Sequence, residues 1–303
     1  MRIVPPSIRP RSWLRLAALA ITCVIASPAQ QRPSRIVSTF PSVTEALFAL
    51  GAGDRVVGVS DYCRYPPAAL SLPKVGGYAK PDPEKIALLR PDLVIIEKSA
   101  TALSDRLSAL GIPHTGVAVG SLNDIYLMIH DIGSATGLAD KAAKLDESIR
   151  GRLEALRTEG GASRQPTVLI IVGRTPGLLT NLIAVGDSPY LGELLRIAGG
   201  NNAVSGTSIP YPHISLETVV RSNPDVILDA SMMGTSESAI NGLESRLRQP
   251  WVAHHELKAV QNGMIFGLTS EVLVTPGPRV ADAVELIRSR IRKAPANPPG
   301  KKS

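Results

Sequence analysis

A pattern that occurs twice, 133 residues apart, places the strongest restriction on how this chain can fold. Residues 83–96 read PEKIALLRPDLVII, and residues 216–228 read LETVVRSNPDVIL. In both, a glutamate (Glu84, Glu217) is followed seven positions later by Pro-Asp and then by a β-branched apolar run. Because a short helical segment and a buried strand follow in the same order each time, the pattern favours two similarly built halves. The alternative is the ordinary repetition of strand-helix units in α/β proteins.

Short continuous apolar runs alternate with helical patterns along the chain. Such runs are typical of strands covered on both faces, as in parallel sheets, so they predict an α/β fold with mainly parallel sheets. The predicted strands are 35–38, 55–59, 92–96, 114–119, 167–172, 225–229 and 263–268. The predicted helices include 42–50, 102–110, 122–136, 190–198 and 276–293.

One long polar-rich helical pattern, ADKAAKLDESIRGRLEALRT, has no strand beside it and lies midway between the two copies of the repeat. The glycine-terminated helical patterns SVTEALFALGAG and SPYLGELLRIAGG precede the repeat in the two halves. We therefore expect two lobes joined by a single helix. The predicted divisions are a first lobe at 33–138, an interlobe helix at 139–158, a second lobe at 159–293 and a disordered tail at 294–303.

Four residues carry local expectations. Ser42 and Glu45 have the S-x-x-E spacing of a capping box at the start of the first helix. Trp251 is expected to pack inside the second lobe. Cys63 is the one cysteine left if an N-terminal signal is removed, so it has no internal disulfide partner and is expected to be a small buried apolar residue.

The first 29 residues are expected to be an export signal. Four arginines and no acidic residue precede the apolar stretch LAALAITCVIA, and the small residues SPA follow it. This stretch is shorter than the roughly 20 residues needed to span a bilayer, but it suits the apolar region of a signal peptide. The exported protein would reside in the periplasm. A retained membrane anchor and lipid attachment at Cys23 are the alternatives.

The net charge of +7 is concentrated at the chain ends. Removal of the four arginines in the first 29 residues lowers it to +3, and Lys301 and Lys302 lie in the tail. The remaining body lacks the concentrated basic stripe that phosphate binding needs, so nucleic acid is not an expected partner.

Sequence motifs for catalysis, nucleotide binding or metal binding are not recognisable. The five histidines form no H-x-x-x-H or Cys/His pattern. The glycines of GAGDRVVG (51–58) have the wrong spacing for a dinucleotide motif and follow a helix instead of a strand. We therefore expect no metal and no cofactor, and enzymatic activity has no positive support in the sequence.

Three segments carry a resemblance to a known family. DYCRYPP (61–67) and PDPEKIALLRPDLVI (81–95), supported by IPYPHISLETVVRSNPDVIL (209–228), resemble periplasmic substrate-binding proteins of ABC importers for vitamin B12, iron-siderophores and haem. The similarity covers residues 35–293 and is most specific to the vitamin B12 group. It implies two Rossmann-like lobes joined by a single long helix, with a corrinoid ligand held in the cleft between them by a monomer.

The resemblance implies ligand contacts at Tyr62, Tyr78 and Tyr211, each on a loop that contains proline. Flat rings with a polar tip suit a broad apolar corrin that is fringed with amides. A structural role as partly buried residues is the alternative for each tyrosine. A further implied contact segment comprises Glu271, Val272, Leu273, Val274 and Thr275.

The resemblance also implies that Glu84 and Glu217, one at the tip of each lobe, pair with arginines of the membrane permease dimer, which works with an ATPase. Two acidic side chains at matching places on similar lobes suit a partner with two-fold symmetry. Such charges mainly set the rate of association and the register of the two proteins. The alternative is that each glutamate only stabilises its helix N-terminus, by about 0.3–1 kcal/mol.

Because some residues depart from the family pattern, the resemblance does not fix the identity of the ligand. Tyr78 and Tyr211 stand where the best-known vitamin B12 binder has tryptophans, and Glu97 occupies a third such position. The alternative cargo is a ferric siderophore or haem, for which Tyr211 or His213 would be candidate iron ligands. A periplasmic enzyme or an assembly factor on the same scaffold is the alternative from a different class.

Overall fold

The computed structural model describes residues 1, 32–159, 165–232 and 242–293. The described residues from Arg32 onward belong to one compact unit. Residues 2–29 of the predicted signal, including Cys23, and the predicted tail at 294–303 lie outside the described residues. None of the described helices is both long and apolar enough to cross a lipid bilayer.

In the described chain, the first lobe contains a four-stranded parallel sheet in the spatial order β2-β1-β3-β4. Its strands are β1 (Ile36–Ser38), β2 (Val56–Val59), β3 (Leu93–Glu97) and β4 (His114–Val117). Its helices are α1 (Pro41–Ala49), α2 (Pro83–Leu88), α3 (Thr101–Ala109) and α4 (Leu122–Thr136), and the long helix α5 (Ala139–Glu159) follows them. The strands coincide with predicted apolar runs because the sheet is covered on both faces.

The second lobe contains a mixed sheet, with six strands among the described residues. They are β5 (Thr167–Gly173), β6 (Leu182–Ala184), β7 (Asn201–Asn202), β8 (His213–Ile214), β9 (Val226–Asp229) and β10 (Ile265–Gly267). Strand β5 pairs in parallel with β7 and β9, and β9 with β10, whereas β6 pairs antiparallel with β5 and β8. The helices of this lobe are α6 (Tyr190–Ala198), α7 (Leu216–Ser222), α8 (Leu243–Arg248), α9 (Lys258–Gln261) and α10 (Val280–Ile291).

Helix α5 lies where the sequence predicted a lone helix and extends one residue beyond it, to Glu159. It packs against α4 of the first lobe and against α6 and α10 of the second. Its buried side chains Ala142, Ile149 and Leu153 belong to a hydrophobic core that continues through both lobes. The two lobes therefore share one apolar core along this helix.

The aspartates of the two repeated segments make equivalent contacts in the two lobes. The backbone N–H of Asp92 donates to the Arg35 carbonyl (3.0 Å), and its carboxylate accepts from the Arg35 N–H (2.9 Å). Asp225 makes the same two bonds with Thr167, at 2.8 and 2.9 Å. Arg35 precedes β1 and Thr167 begins β5, so each aspartate fixes the start of its neighbouring strand.

The residues before the two Pro-Asp pairs also have matching conformations. Arg90 and Asn223 have φ angles of 46° and 41°, in the left-handed region that non-glycine residues rarely adopt. The proline that follows each one cannot continue a helix. Helices α2 and α7 therefore end and turn into the next strand in the same way, which confirms that the repeated sequence encodes a repeated structure.

The capping-box prediction for α1 is wrong. Phe40 is the N-cap, Ser42 and Glu45 both lie within the helix, and no side chain caps its N-terminus. Glu45 is buried and pairs with Arg279 of the second lobe. Local spacing contains no information about a partner 234 positions away.

A buried polar cluster is built around Asp229 at the end of β9. One carboxylate oxygen of Asp229 accepts from Arg174 Nε (2.9 Å) and Trp251 Nε1 (2.8 Å). The other accepts from Ser231 N and Oγ, at 3.1 and 2.6 Å. The side chains of Arg174 and Asp229 are 1% and 0% exposed, so each charge depends on the other. Trp251 is fully buried in the second lobe, and Cys63 is fully buried in the first, as predicted.

Replacing Asp229 with alanine is expected to lower the free energy of unfolding by about 3–5 kcal/mol, because Arg174 would remain buried without its counter-ion. Chemical denaturation measures this loss. Asp105→Ala on the exposed face of α3 is the control and should change stability by less than about 0.5 kcal/mol. Equal effects of the two substitutions would contradict the assignment of Asp229 as the centre of the cluster.

Candidate ligand cleft

The loop that follows β2 presents three half-exposed tyrosines, Tyr62, Tyr65 and Tyr78. The two ends of this loop lie side by side, because the Asp61 N–H donates to the Gly76 carbonyl at 2.9 Å. A Cβ atom built on Gly77 would lie 3.5 Å from the Tyr62 ring, so the segments carrying Tyr62 and Tyr78 are neighbours. The structure thus brings two predicted contact residues together and adds Tyr65 beside them.

Tyr78 is held by two residues of the first lobe. Its ring meets the buried Phe40 ring edge-on, with centroids 6.1 Å apart, and its hydroxyl donates to Glu97 Oε2. Glu97 is the last residue of β3 and is partly buried. Burial and the neighbouring Glu97 carboxylate together raise the pKa of Tyr78 well above its usual range.

Tyr211 lies on the loop between β7 and β8 and is also half-exposed. This loop is fixed to β6 because the N–H groups of Ala184 and Gly186 donate to the carbonyls of Pro212 and Pro210, at 3.0 and 2.8 Å. Burial raises the pKa of the Tyr211 phenol. The second lobe therefore contributes one aromatic ring from a well-anchored loop.

The segment 271–275 begins with a short 3-10 turn, Glu271–Leu273, and mixes exposed with buried side chains. Glu271 is partly exposed and Val274 is exposed. Val272, Leu273 and Thr275 are buried, and the first two belong to the shared hydrophobic core. Glu271 and Val274 are thus the members of this segment whose side chains offer most surface to a ligand.

An ion pair connects the predicted contact segments of the two lobes. Arg64 Nη1, on the loop after β2, lies 2.9 Å from Glu271 Oε1, before α10. Their side chains are 44% and 36% exposed, so the pair lies at the surface and its energetic contribution is modest. The ion pair shows, however, that these two segments face each other across the boundary between the lobes.

A second interlobe pair lies deeper, between Glu45 of α1 and Arg279 at the start of α10. The guanidinium group meets the carboxylate with two nitrogens, and the Nε–Oε2 distance is 2.8 Å. The Tyr65 ring stacks on Arg279, with 3.8 Å between the guanidinium carbon and the ring centroid. Burial raises the pKa of Glu45 despite its arginine partner, and the bond to Glu45 raises the pKa of Arg279.

Tyr190, the first residue of α6, adds a buried phenol to the same boundary. Its backbone N–H donates to the Gly120 carbonyl of the first lobe at 3.1 Å. Its hydroxyl is buried without a hydrogen-bond partner among the described residues. Burial, followed by the proximity of Tyr211 and Glu45, raises its pKa well above the usual range. Tyr190 therefore lies near both Tyr211 and Glu45.

A separate depression of about 390 Å³ lies between α5 and α10. It is lined by Arg152, Arg288 and Arg292 together with Glu285 and Ser289, and Arg152 pairs with Asp282 and Glu285 at 2.9 Å. None of the predicted ligand residues lines it, so it is distinct from the proposed cleft.

Glu84 and Glu217 occupy equivalent places in the two lobes. Each is the second residue of its helix, α2 or α7, and both side chains are highly exposed. Each also pairs with an arginine: Glu84 with Arg106 at 3.2 Å, and Glu217 with Arg221 at 2.7 Å. The helices are capped by the side chains of the preceding Asp82 and Ser215, so N-terminal capping does not require the glutamates.

Comparison with known proteins identifies the family. The family model for periplasmic binding proteins matches residues 36–272. The chain belongs to the periplasmic binding protein family. It is 31% identical over 263 residues to a vitamin B12-binding protein of Vibrio cholerae, a match that spans 86% of this chain and 90% of that protein.

Two solved structures share the fold of this periplasmic binding protein. The periplasmic vitamin B12-binding protein BtuF of Vibrio cholerae is 29% identical, with a TM-score of 0.71 over 88% of this chain and 99% of that one. The periplasmic haem-binding protein RhuT of Roseiflexus sp. RS-1, in its apo form, is 27% identical, with a TM-score of 0.75 over 86% and 99%. The protein is thus a solute-binding component of the ABC-importer type and not an enzyme.

The sequence did not assign four residues to the interlobe boundary of this periplasmic binding protein: Tyr65, Tyr190, Arg279, and Glu45, which it assigned to a capping box instead. Tyr65 shares the proline-containing segment DYCRYPP with Tyr62, so the same signal was available for it. The other three gave no signal for a place at this boundary, because each is defined by a partner in the opposite lobe or by the burial of one polar atom.

Arg279→Met is expected to lower the free energy of unfolding by about 3–5 kcal/mol at pH 7, because it leaves the Glu45 carboxylate buried without a counter-ion. Burial raises the pKa of Glu45 above its ordinary value of 4.5, so the folded state takes up a proton before the unfolded state does as the pH falls. The loss should therefore shrink on acidification through that raised pKa. Denaturation at several pH values measures it.

Two further variants test the cause of this loss. Glu45→Gln in the Arg279→Met background should recover stability at pH 7, because the buried charge is gone. Arg152→Met, which breaks the exposed ion pairs between α5 and α10, should cost less than about 1 kcal/mol. A loss in Arg279→Met that did not depend on pH and was not recovered by Glu45→Gln would contradict the ion-pair explanation.

Proposed function

We propose that this protein captures a corrinoid, a ligand of the vitamin B12 type, in the cleft between its lobes and delivers it to a membrane permease. The observation that carries the proposal is the set of half-exposed tyrosines at the lobe boundary. Tyr62 and Tyr78 come from the first lobe and Tyr211 from the second, and the Arg64–Glu271 pair bridges neighbouring segments. Similarity to vitamin B12-binding proteins along most of the chain supports it.

The chemistry of these side chains suits a corrinoid. A corrin is a broad, largely apolar disc with a fringe of primary amides. Tyrosine rings cover apolar area at low entropic cost, and their hydroxyl groups remain available for hydrogen bonds. Val274 adds exposed apolar surface on the second lobe. The proposed cleft therefore offers aliphatic and aromatic surface with few free charges.

Haem is the second candidate, because the haem-binding protein RhuT shares the fold at 27% identity and phenols can ligate iron. A ferric siderophore remains a third. The charges favour the corrinoid over anionic cargo. Arg64 and Arg279 both lie at the lobe boundary, but each is already paired with a glutamate. A haem with two carboxylates would have to compete for them.

Purified protein is expected to bind cyanocobalamin at least about tenfold more tightly than hemin or ferrichrome, as measured by isothermal titration. Tyr211→Ala should weaken cyanocobalamin binding by about tenfold, since an aromatic contact contributes on the order of 1.4 kcal/mol. Val252→Ala, at a similarly exposed apolar residue before α9, is the control and should have no effect. Preferential binding of hemin or ferrichrome would contradict the corrinoid assignment.

We also propose that Glu84 and Glu217 form the contact with the permease dimer, which works with its ATPase. Their equivalent positions on α2 and α7, their exposure and the matching local backbone support a pair of similar points for a two-fold partner. Their present partners Arg106 and Arg221 are exposed, so a permease arginine can replace them at small cost.

The double variant Glu84→Lys, Glu217→Lys is expected to abolish uptake of cyanocobalamin by cells and to leave its binding in solution unchanged. Like charges would then face the permease arginines, which opposes association. Glu147→Lys with Glu244→Lys reverses two other exposed acids and is the matched control, with uptake retained. Loss of solution binding in the first double variant would place these glutamates in the ligand cleft instead.

We further propose that the protein acts as a monomer in the periplasm after export through its N-terminal segment. The basic and then apolar composition of residues 1–29 supports export, and attachment of a lipid at Cys23 is the alternative form. Mass spectrometry of the protein from both the periplasmic and the membrane fractions decides between them, since a lipidated protein would begin at Cys23 and lie in the membrane fraction.

A further inference from the structure

Glu97 ends β3 at the carboxyl edge of the first sheet. Along β3, Leu93 and Ile95 belong to the core that continues through both lobes, whereas Val94 and Ile96 belong to the separate cluster beneath α2 and α3. Successive side chains of a strand alternate between the two faces of the sheet. Glu97 therefore shares the face of Leu93 and Ile95, and it is partly exposed at the rim of the proposed cleft.

Tyr78 holds the Glu97 carboxylate in position. The Tyr78 hydroxyl donates to Glu97 Oε2, and its ring is supported edge-on by Phe40, which is buried in the shared core. Because burial and the carboxylate raise the pKa of Tyr78, the phenol keeps its proton at any physiological pH. The hydrogen bond thus has a fixed direction, from the phenol to the carboxylate.

The two side chains together present acceptors only. The one hydroxyl proton of Tyr78 is used in the bond to Oε2, so the phenol oxygen offers its lone pairs and Glu97 offers Oε1. Among the described residues no cation forms an ion pair with Glu97: Arg64 is paired with Glu271, and Lys98 is exposed in the turn that follows β3. Lys80 is exposed two residues beyond Tyr78.

We propose that Glu97 and Tyr78 form an acceptor site on the first-lobe wall of the cleft, which binds N–H groups of the ligand and rejects carboxylates at the same place. This inference rests on the proposed function and names the chemistry that its ligand must present. A primary amide supplies two N–H donors and satisfies the site. A carboxylate supplies none and brings a second negative charge against Glu97, which is strongly unfavourable away from bulk water.

The test compares cyanocobalamin with its monocarboxylic acids, in each of which one peripheral amide is hydrolysed. The wild-type protein is expected to bind at least one of these acids about tenfold or more weakly than cyanocobalamin. Glu97→Gln keeps the side-chain shape but removes the charge. It should weaken cyanocobalamin binding by several-fold and strengthen binding of that acid, so that most of the discrimination disappears.

Two controls keep the result interpretable. Glu147→Gln removes a carboxylate from the exposed face of α5 and should leave both affinities unchanged. Tyr78→Phe removes the bond to Glu97 but not its charge, so it should weaken cyanocobalamin binding and retain the discrimination against the acid. Thermal denaturation of each variant confirms that it is folded.

The outcomes separate this inference from the proposed function. Tight cyanocobalamin binding with equal affinities for all acids, or discrimination that Glu97→Gln leaves intact, would overturn the acceptor site alone. If the wild-type protein bound neither cyanocobalamin nor hemin, the corrinoid proposal and this inference would both fall. Tight hemin binding that Glu97→Gln does not strengthen would also overturn it.

Discussion

The ion pair between Glu45 and Arg279 is the polar contact on which the arrangement of the two lobes most depends. It connects α1 of the first lobe to the start of α10 in the second, and it positions Tyr65 by stacking that ring on the guanidinium group. An exposed pair would contribute little, but Glu45 is buried, so loss of its partner would leave a charge in an apolar environment. The apolar core along α5 and this pair together hold the boundary between the lobes.

The repeated segments show how one local solution serves both lobes. In each, a short capped helix begins with an exposed glutamate at its second position, ends at a left-handed residue, and passes through Pro-Asp into a buried strand. The aspartate then binds the backbone where the neighbouring strand starts. Pro-Asp is therefore a structural element of the sheet, whereas each glutamate makes an exposed ion pair with an arginine. This division supports a surface role for Glu84 and Glu217.

The proposed cleft is not lined by aromatic rings alone. Tyr62, Tyr65 and Tyr211 offer rings, but the wall at the end of β3 carries the hydrogen-bonded Tyr78–Glu97 pair. The cations at the boundary are neutralised by Glu45 and Glu271. Charge at such a site acts mainly on specificity. A ligand group of the same sign costs more binding free energy than a group of the opposite sign contributes. The balance of charge therefore favours an amide-bearing ligand over an anionic one.

The sequence by itself determined the α/β class, the position of α5, most strand positions and the duplicated helix-turn-strand units, because these follow from apolar periodicity and turn chemistry within a few residues. Through a family resemblance it also predicted ligand contacts on the tyrosine loops, and this stays a prediction. Only the tertiary structure decided that Glu45 pairs with Arg279 instead of capping α1, that Val272 and Leu273 lie in the core, and that Tyr78 bonds to Glu97. Each of these depends on residues distant in sequence that meet only when the sheets and lobes have packed. Local sequence patterns do not predict such contacts.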